Sequence, residues 1–153
     1  MHTSKEAQDR LFADIRTRFM KLVEENGLAA EQIRVTSKAL SAEDAIGMPK
    51  RQDYPILTGK EVMLQAEYKG SFGQAFTDAP SLFSGSLKEI LALDIENDVH
   101  ARGLFIAALN AVMRYLRLAE GTVHCKNEEP EQCATQFVEY IRQHDKSPKI
   151  ALV

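Results

Sequence analysis

At 153 residues, with 44% hydrophobic and 27% charged side chains, the chain has the make-up of one globular domain and needs neither a disulfide nor a metal merely to fold. Nineteen Lys and Arg against 22 Asp and Glu leave a formal charge of -3, so the positive field that gathers phosphate backbones is missing and nucleic acid is excluded as a partner. No run reaches the roughly 18 apolar residues that cross a bilayer, and Met1 to Glu6 lacks the apolar core of a signal peptide, so a cytoplasmic location with no membrane partner is expected.

Thr3 and Glu6 stand at capping-box spacing before Ala7, Leu11, Phe12, Ile15, Phe19, Leu22 and Val23, a stripe at helical period that stops at Asn26-Gly27. The spacing predicts a first helix over residues 4–25. Ile33, Val35 and Thr36 read as a strand, and Ser41 with Asp44 can cap one short turn closed by Gly47, before a loop bracketed by Pro49 and Pro55. From Glu61 the pattern alternates, with Val62, Leu64, Ala66 and Tyr68 on one side. Lys69-Gly70 then supplies a turn, and Phe72, Gln74 and Phe76 continue at period two, so residues 61–77 predict a hairpin. Phe72 and Phe76 are expected to pack on the central helix, and Gly73 to permit a bulge or a close approach.

Ser86 and Glu89 can open a short helix through Leu93, and Asn97 can cap a longer one from Asp98 to about Ala119, stopped by Gly121. Apolar side chains cover nearly every face of Gly103 to Met113, which marks this helix as central. Glu129-Pro130 starts a last helix with Phe137, Val138 and Ile141 on its inward stripe, broken at Ser147-Pro148. Lys149 to Val153 reads as a buried-type strand. The expected class is therefore α+β, a small and mostly antiparallel sheet packed on a helical layer.

His124, Cys125 and Cys133 bring one imidazole and two thiols within ten residues, a donor set that suits a divalent metal, zinc or softer. Their spacing is not that of a zinc knuckle, and a packed cysteine with a hydrogen-bonded histidine is the plainer reading of the same residues. A third reading places Cys133 in the first turn of the last helix, where the dipole favours a thiolate that could pair with Cys125. Thr77 and Asp78 close the hairpin, where strand ends present polar groups to a ligand; an Asx turn before Pro80 is the plainer reading of the same residues. Asn110, polar in an apolar helix, is expected to satisfy backbone.

Three phrases, Gly73 to Asp78 (Gly-Gln-Ala-Phe-Thr-Asp), Arg102 to Ala111 with its Ala-Leu-Asn-Ala core, and Thr122 to Cys125 with Cys133, together resemble a family of uncharacterised prokaryotic proteins labelled for heavy-metal chelation. The resemblance implies an enolase N-terminal-like domain over residues 1–148, with Lys149 to Val153 at the place where a Rossmann-like second domain would begin. It implies a non-catalytic module that binds a metal ion or a small molecule. The alternatives are a capping domain of an enzyme completed by the Rossmann-like domain, and an association domain without chemistry. A terminal strand at Ile150 to Val153 that lacks its partner would favour a homodimer by strand addition.

Overall fold

A computed structural model describes residues 4–38, 46–54, 62–120 and 126–144, together with positions 43 and 57. These fall into two compact units, one drawn from Met1–Ala39 and Lys60–Thr122, the other from Leu40–Gly59 and Val123–Val153. The fold is α+β, with a four-stranded antiparallel sheet in the first unit. No helix of the described residues is long and apolar enough to cross a membrane.

Helix α1 spans Ser4–Glu25 and turns Phe19 and Val23 into the core, with Phe12, Ile15 and Leu22 at its margin. It ends where the sequence places its end, because Gly27 takes a left-handed φ of 65°. The Gly27 amide then donates to Glu24 and the Leu28 amide to Val23, so two otherwise unpaired carbonyls are satisfied and Leu28 is drawn into the core.

The strands are β1 (Gln32–Lys38), β2 (Val62–Tyr68), β3 (Ser71–Thr77) and β4 (Phe83–Ser86), in the spatial order β3-β2-β1-β4. Lys69 and Gly70 both have positive φ, 47° and 79°, the backbone of a two-residue turn that matches the twist of the strands it joins. Tyr68 therefore pairs with Ser71, and the pairing runs without a bulge to Val62 and Thr77.

This register decides which side chains reach the core. Leu64, Ala66 and Tyr68 are fully buried, as the alternation predicts, and residues directly opposite each other share a face. Gly73, opposite Ala66, and Ala75, opposite Leu64, consequently face inward. Phe72 and Phe76 stand opposite Glu67 and Met63 on the outer face, 47% and 41% exposed. The expectation that these two rings pack on the central helix is thus corrected. A two-residue turn carries the facing of Tyr68 over to Ser71, so the aromatic positions of β3 fall on the side opposite to the apolar positions of β2.

Helix α2 (Leu87–Leu91) opens on the anticipated capping box, in which Ser86 accepts from the Glu89 amide and Glu89 accepts from the Ser86 amide. The hydrogen bonds from Ser86 hold the Glu89 carboxyl below its ordinary range. Helix α3 (Val99–Tyr115) is the central one, burying Leu104, Phe105, Ala108 and Val112 among others. Its cap is Asp98 rather than Asn97, whose amide and side chain are both engaged by the Asp94 carboxylate. It stops four residues short of Ala119, because Arg117 adopts a φ of 57° while the Arg117 and Leu118 amides turn back onto Arg114 and Met113.

In the second unit, α4 spans Glu129–His144, with Pro130 in its first turn as expected. Gly47 has a φ of 68°, and its amide donates to Glu43. Asn127 fastens this segment: its amide donates to Ile46 O and its side-chain oxygen accepts from the Met48 amide at 3.0 Å. Phe137 and Val138 of α4 are exposed, whereas the stripe was expected to face inward. Ser41, Asp44, Pro55 and Lys149 to Val153 lie outside the described residues.

Candidate functional site

The seam between β3 and α3 creates the one feature that gathers expected site residues. Gly103, Ala107 and Ala111 recur every four residues along α3 and present almost no side chain to the sheet. A Cβ on Gly73 would run into Ala111 N and Ala107 O, and would stand 2.6 Å from the Asn110 carbonyl carbon. Helix backbone and strand backbone are therefore in direct contact at this point. Asn110 adds a tether, its Nδ2 donating to Gln74 O at 2.8 Å. The expected backbone role of Asn110 holds, although the side chain is exposed and the backbone it serves is a strand.

Where β3 ends, the seam opens into a cleft of about 280 Å³. Ala75, Phe76, Thr77 and Asp78 line it from the strand, and Val99, Arg102, Gly103 and Ile106 from the first turns of α3. Thr77 is buried, and its Oγ1 accepts from the Ala79 amide at 3.0 Å. The turn that ends the hairpin is closed by this threonine and not by an Asx turn at Asp78. Asp78 is exposed, and no described residue pairs with its carboxylate.

Arg102 brings a cation to the same cleft but is already committed. Its Nε donates to Ile95 O at 3.0 Å, one terminal nitrogen donates to Glu96 O at 3.2 Å, and its guanidinium carbon lies 4.5 Å from the centre of the Phe12 ring. It braces the turn before α3 against α1. Val99, Arg102, Gly103 and Ile106 belong to the site although sequence reasoning assigned them no ligand role. Their spacing at three and four residues, on the helix that follows the hairpin, is the signal that could have found them.

His124 and Cys125 lie outside the described residues, so the structure places only Cys133 of the expected metal set. Cys133 is a free, exposed thiol on α4. It is the fifth residue of that helix, beyond the first turn in which it was expected, and that turn is occupied by Glu129 and Glu131. Among the described residues no three His, Cys, Asp or Glu side chains are grouped so as to hold a metal ion.

The sheet and the helix seated on it define an α+β protein with a cleft at one end of the β3–α3 seam. A scan of family models and searches of curated proteins and of solved structures give no match to this chain.

Proposed function

We propose that the chain is a non-catalytic binding module, and that it takes a small molecule with an apolar body and a cationic head in the cleft at the end of β3. The observation that carries this reading is the pairing of an uncommitted carboxylate with an apolar wall. Asp78 lines the cleft together with Ala75, Val99, Gly103 and Ile106, and the Arg102 guanidinium in the same lining is turned to Ile95 O and Glu96 O. Both sides of the cleft belong to packed elements, which lowers the ordering cost of binding. The volume lies at the lower end of the range of ligand pockets and suits a molecule of only a few heavy atoms.

n-Butylammonium is a direct probe. Calorimetric titration should show binding that weakens by roughly fivefold to tenfold in Asp78→Asn, the measure of a partly exposed charge pair. Equal affinity of the two proteins, or equal binding of neutral n-butanol, would contradict recognition by this carboxylate.

A metal ion is the second ligand class, favoured by the accessibility of the Cys133 thiol. On this reading Cys125 and Cys133, with His124, hold about one equivalent of zinc or a softer divalent ion. Elemental analysis after zinc loading and dialysis should find that equivalent in the wild type and not in a Cys125→Ser, Cys133→Ser double variant. Equal retention by both removes the thiols from metal binding. The resemblance to the heavy-metal chelation family supports the same reading, with the module serving beside a Rossmann-like domain.

A further inference from the structure

At the turn end of the hairpin, opposite the cleft, a tyrosine hydroxyl is buried without a partner. Tyr68 is fully buried, and among the described residues its hydroxyl makes no hydrogen bond. A polar atom in that condition is uncommon in a packed interior and asks for a reason. The Tyr68 ring meets that of Tyr115, at the end of α3, edge-to-face, with centroids 5.1 Å apart and planes at 86°. The Lys69 ammonium lies 5.6 Å from each centroid, within the range over which a ring face attracts a cation. Its Nζ also stands 3.1 Å from Glu31 Oε2.

Two perpendicular rings and a carboxylate around one ammonium make an aromatic cage, the arrangement by which proteins recognise quaternary ammonium ions. The walls are fixed before anything enters. Tyr68 belongs to β2 and Tyr115 to α3, while the Glu31 amide donates to Leu28 O and the Glu31 carbonyl accepts from the Leu87 amide. The occupant is held less firmly. Lys69 is the first residue of the two-residue turn, and it is exposed. Its left-handed backbone, φ 47°, is one that Asn, Asp or Gly adopts more readily, so the turn does not explain a lysine there. The space that its ammonium fills does.

We infer that Tyr68, Tyr115 and Glu31 form a binding site for a small quaternary ammonium ion, closed in this structure by the chain's own Lys69. The occupant points to the ligand class, since it is itself an alkylammonium. A primary ammonium is compact and strongly hydrated, and here one carboxylate stands in for the water it gives up. A quaternary head surrenders less hydration and presents only methyl groups to the rings, so it gains more from the same walls. Against it stands a tethered competitor. A side chain anchored beside its site acts at an effective concentration of roughly millimolar, so the closed cage binds weakly and withdrawal of Lys69 opens it. This site shares no residue with the cleft at the Asp78 end of β3 and does not rest on that reading.

Choline is the probe, followed by the proton shift of its methyl groups, which move upfield when seated against aromatic faces. Lys69→Asn removes the ammonium and suits the left-handed turn, since Asn-Gly is a favoured pair for it, so the fold is kept. This variant should bind choline roughly tenfold tighter than the wild type, the gain expected if the cage stands open about a tenth of the time. The uncharged carbon isostere 3,3-dimethylbutan-1-ol should bind it far more weakly than choline does. Adding Tyr115→Leu or Glu31→Gln, both at partly exposed side chains, should bring choline affinity back to the wild-type level or below. A Lys69→Asn protein that binds choline no better than the wild type overturns the proposal. So does equal binding of the isostere, or affinity that survives both added substitutions.

Discussion

Replacing Gly73 by alanine should destabilise the protein by about 3 kcal/mol, at the upper end of what one added methyl costs in a packed interior. The added carbon would overlap Ala111 N and Ala107 O, both main-chain atoms of α3, so no side-chain rotation can relieve it. The helix must move off the strand, and the Asn110 tether to Gln74 moves with it. A thermal melt should fall by roughly 10 °C for a chain of this length. A fall below about 2 °C would mean that β3 and α3 do not meet at Gly73.

Phe105→Ala should cost about 4 kcal/mol, the range for an aromatic side chain deleted from a closed core. Phe105 is fully buried, and its ring meets Phe19 of α1 edge-to-face with centroids 5.3 Å apart. Truncation leaves a cavity between α1 and α3 and removes that ring pair as well. Phe76→Ala should cost only about 1 kcal/mol, because its ring lies on the outer face. Denaturant unfolding of both variants tests facing and core together. A larger loss for Phe76 than for Phe105 would invert the assignment of the two faces of β3.

Much of the fold was legible because its local signals are chemical. Asn26-Gly27 stops α1, Lys69-Gly70 turns the hairpin, and Ser86 with Glu89 opens α2, each through a residue whose backbone freedom or side-chain oxygen makes that geometry favourable. One feature was hidden for a physical reason: Arg117 ends α3 in a left-handed conformation that its side chain does not advertise, so Gly121 was the only stop signal to read. The facing of β3 was legible in the two-residue Lys69-Gly70 turn, which sets Ser71 and not Phe72 on the face of Tyr68; the aromatic residues suggested the other side because apolar side chains ordinarily turn inward.

The candidate site was legible only in part. Thr77 and Asp78 could be placed at a strand end from the sequence. The wall they share with Val99, Gly103 and Ile106 required knowledge that β3 and α3 touch backbone to backbone. That contact rests on a glycine in one element and a small-residue stripe in the other, and neither periodicity shows that the two elements are partners.

Amide chemical shifts followed during titration with n-butylammonium report whether the end of the β3–α3 seam takes up a small cation with an apolar body. Saturable shifts concentrated at Phe76, Thr77, Asp78, Val99, Gly103 and Ile106, much reduced in Asp78→Asn, are the expected result. Shifts absent from these positions, or centred elsewhere on the protein, would contradict it.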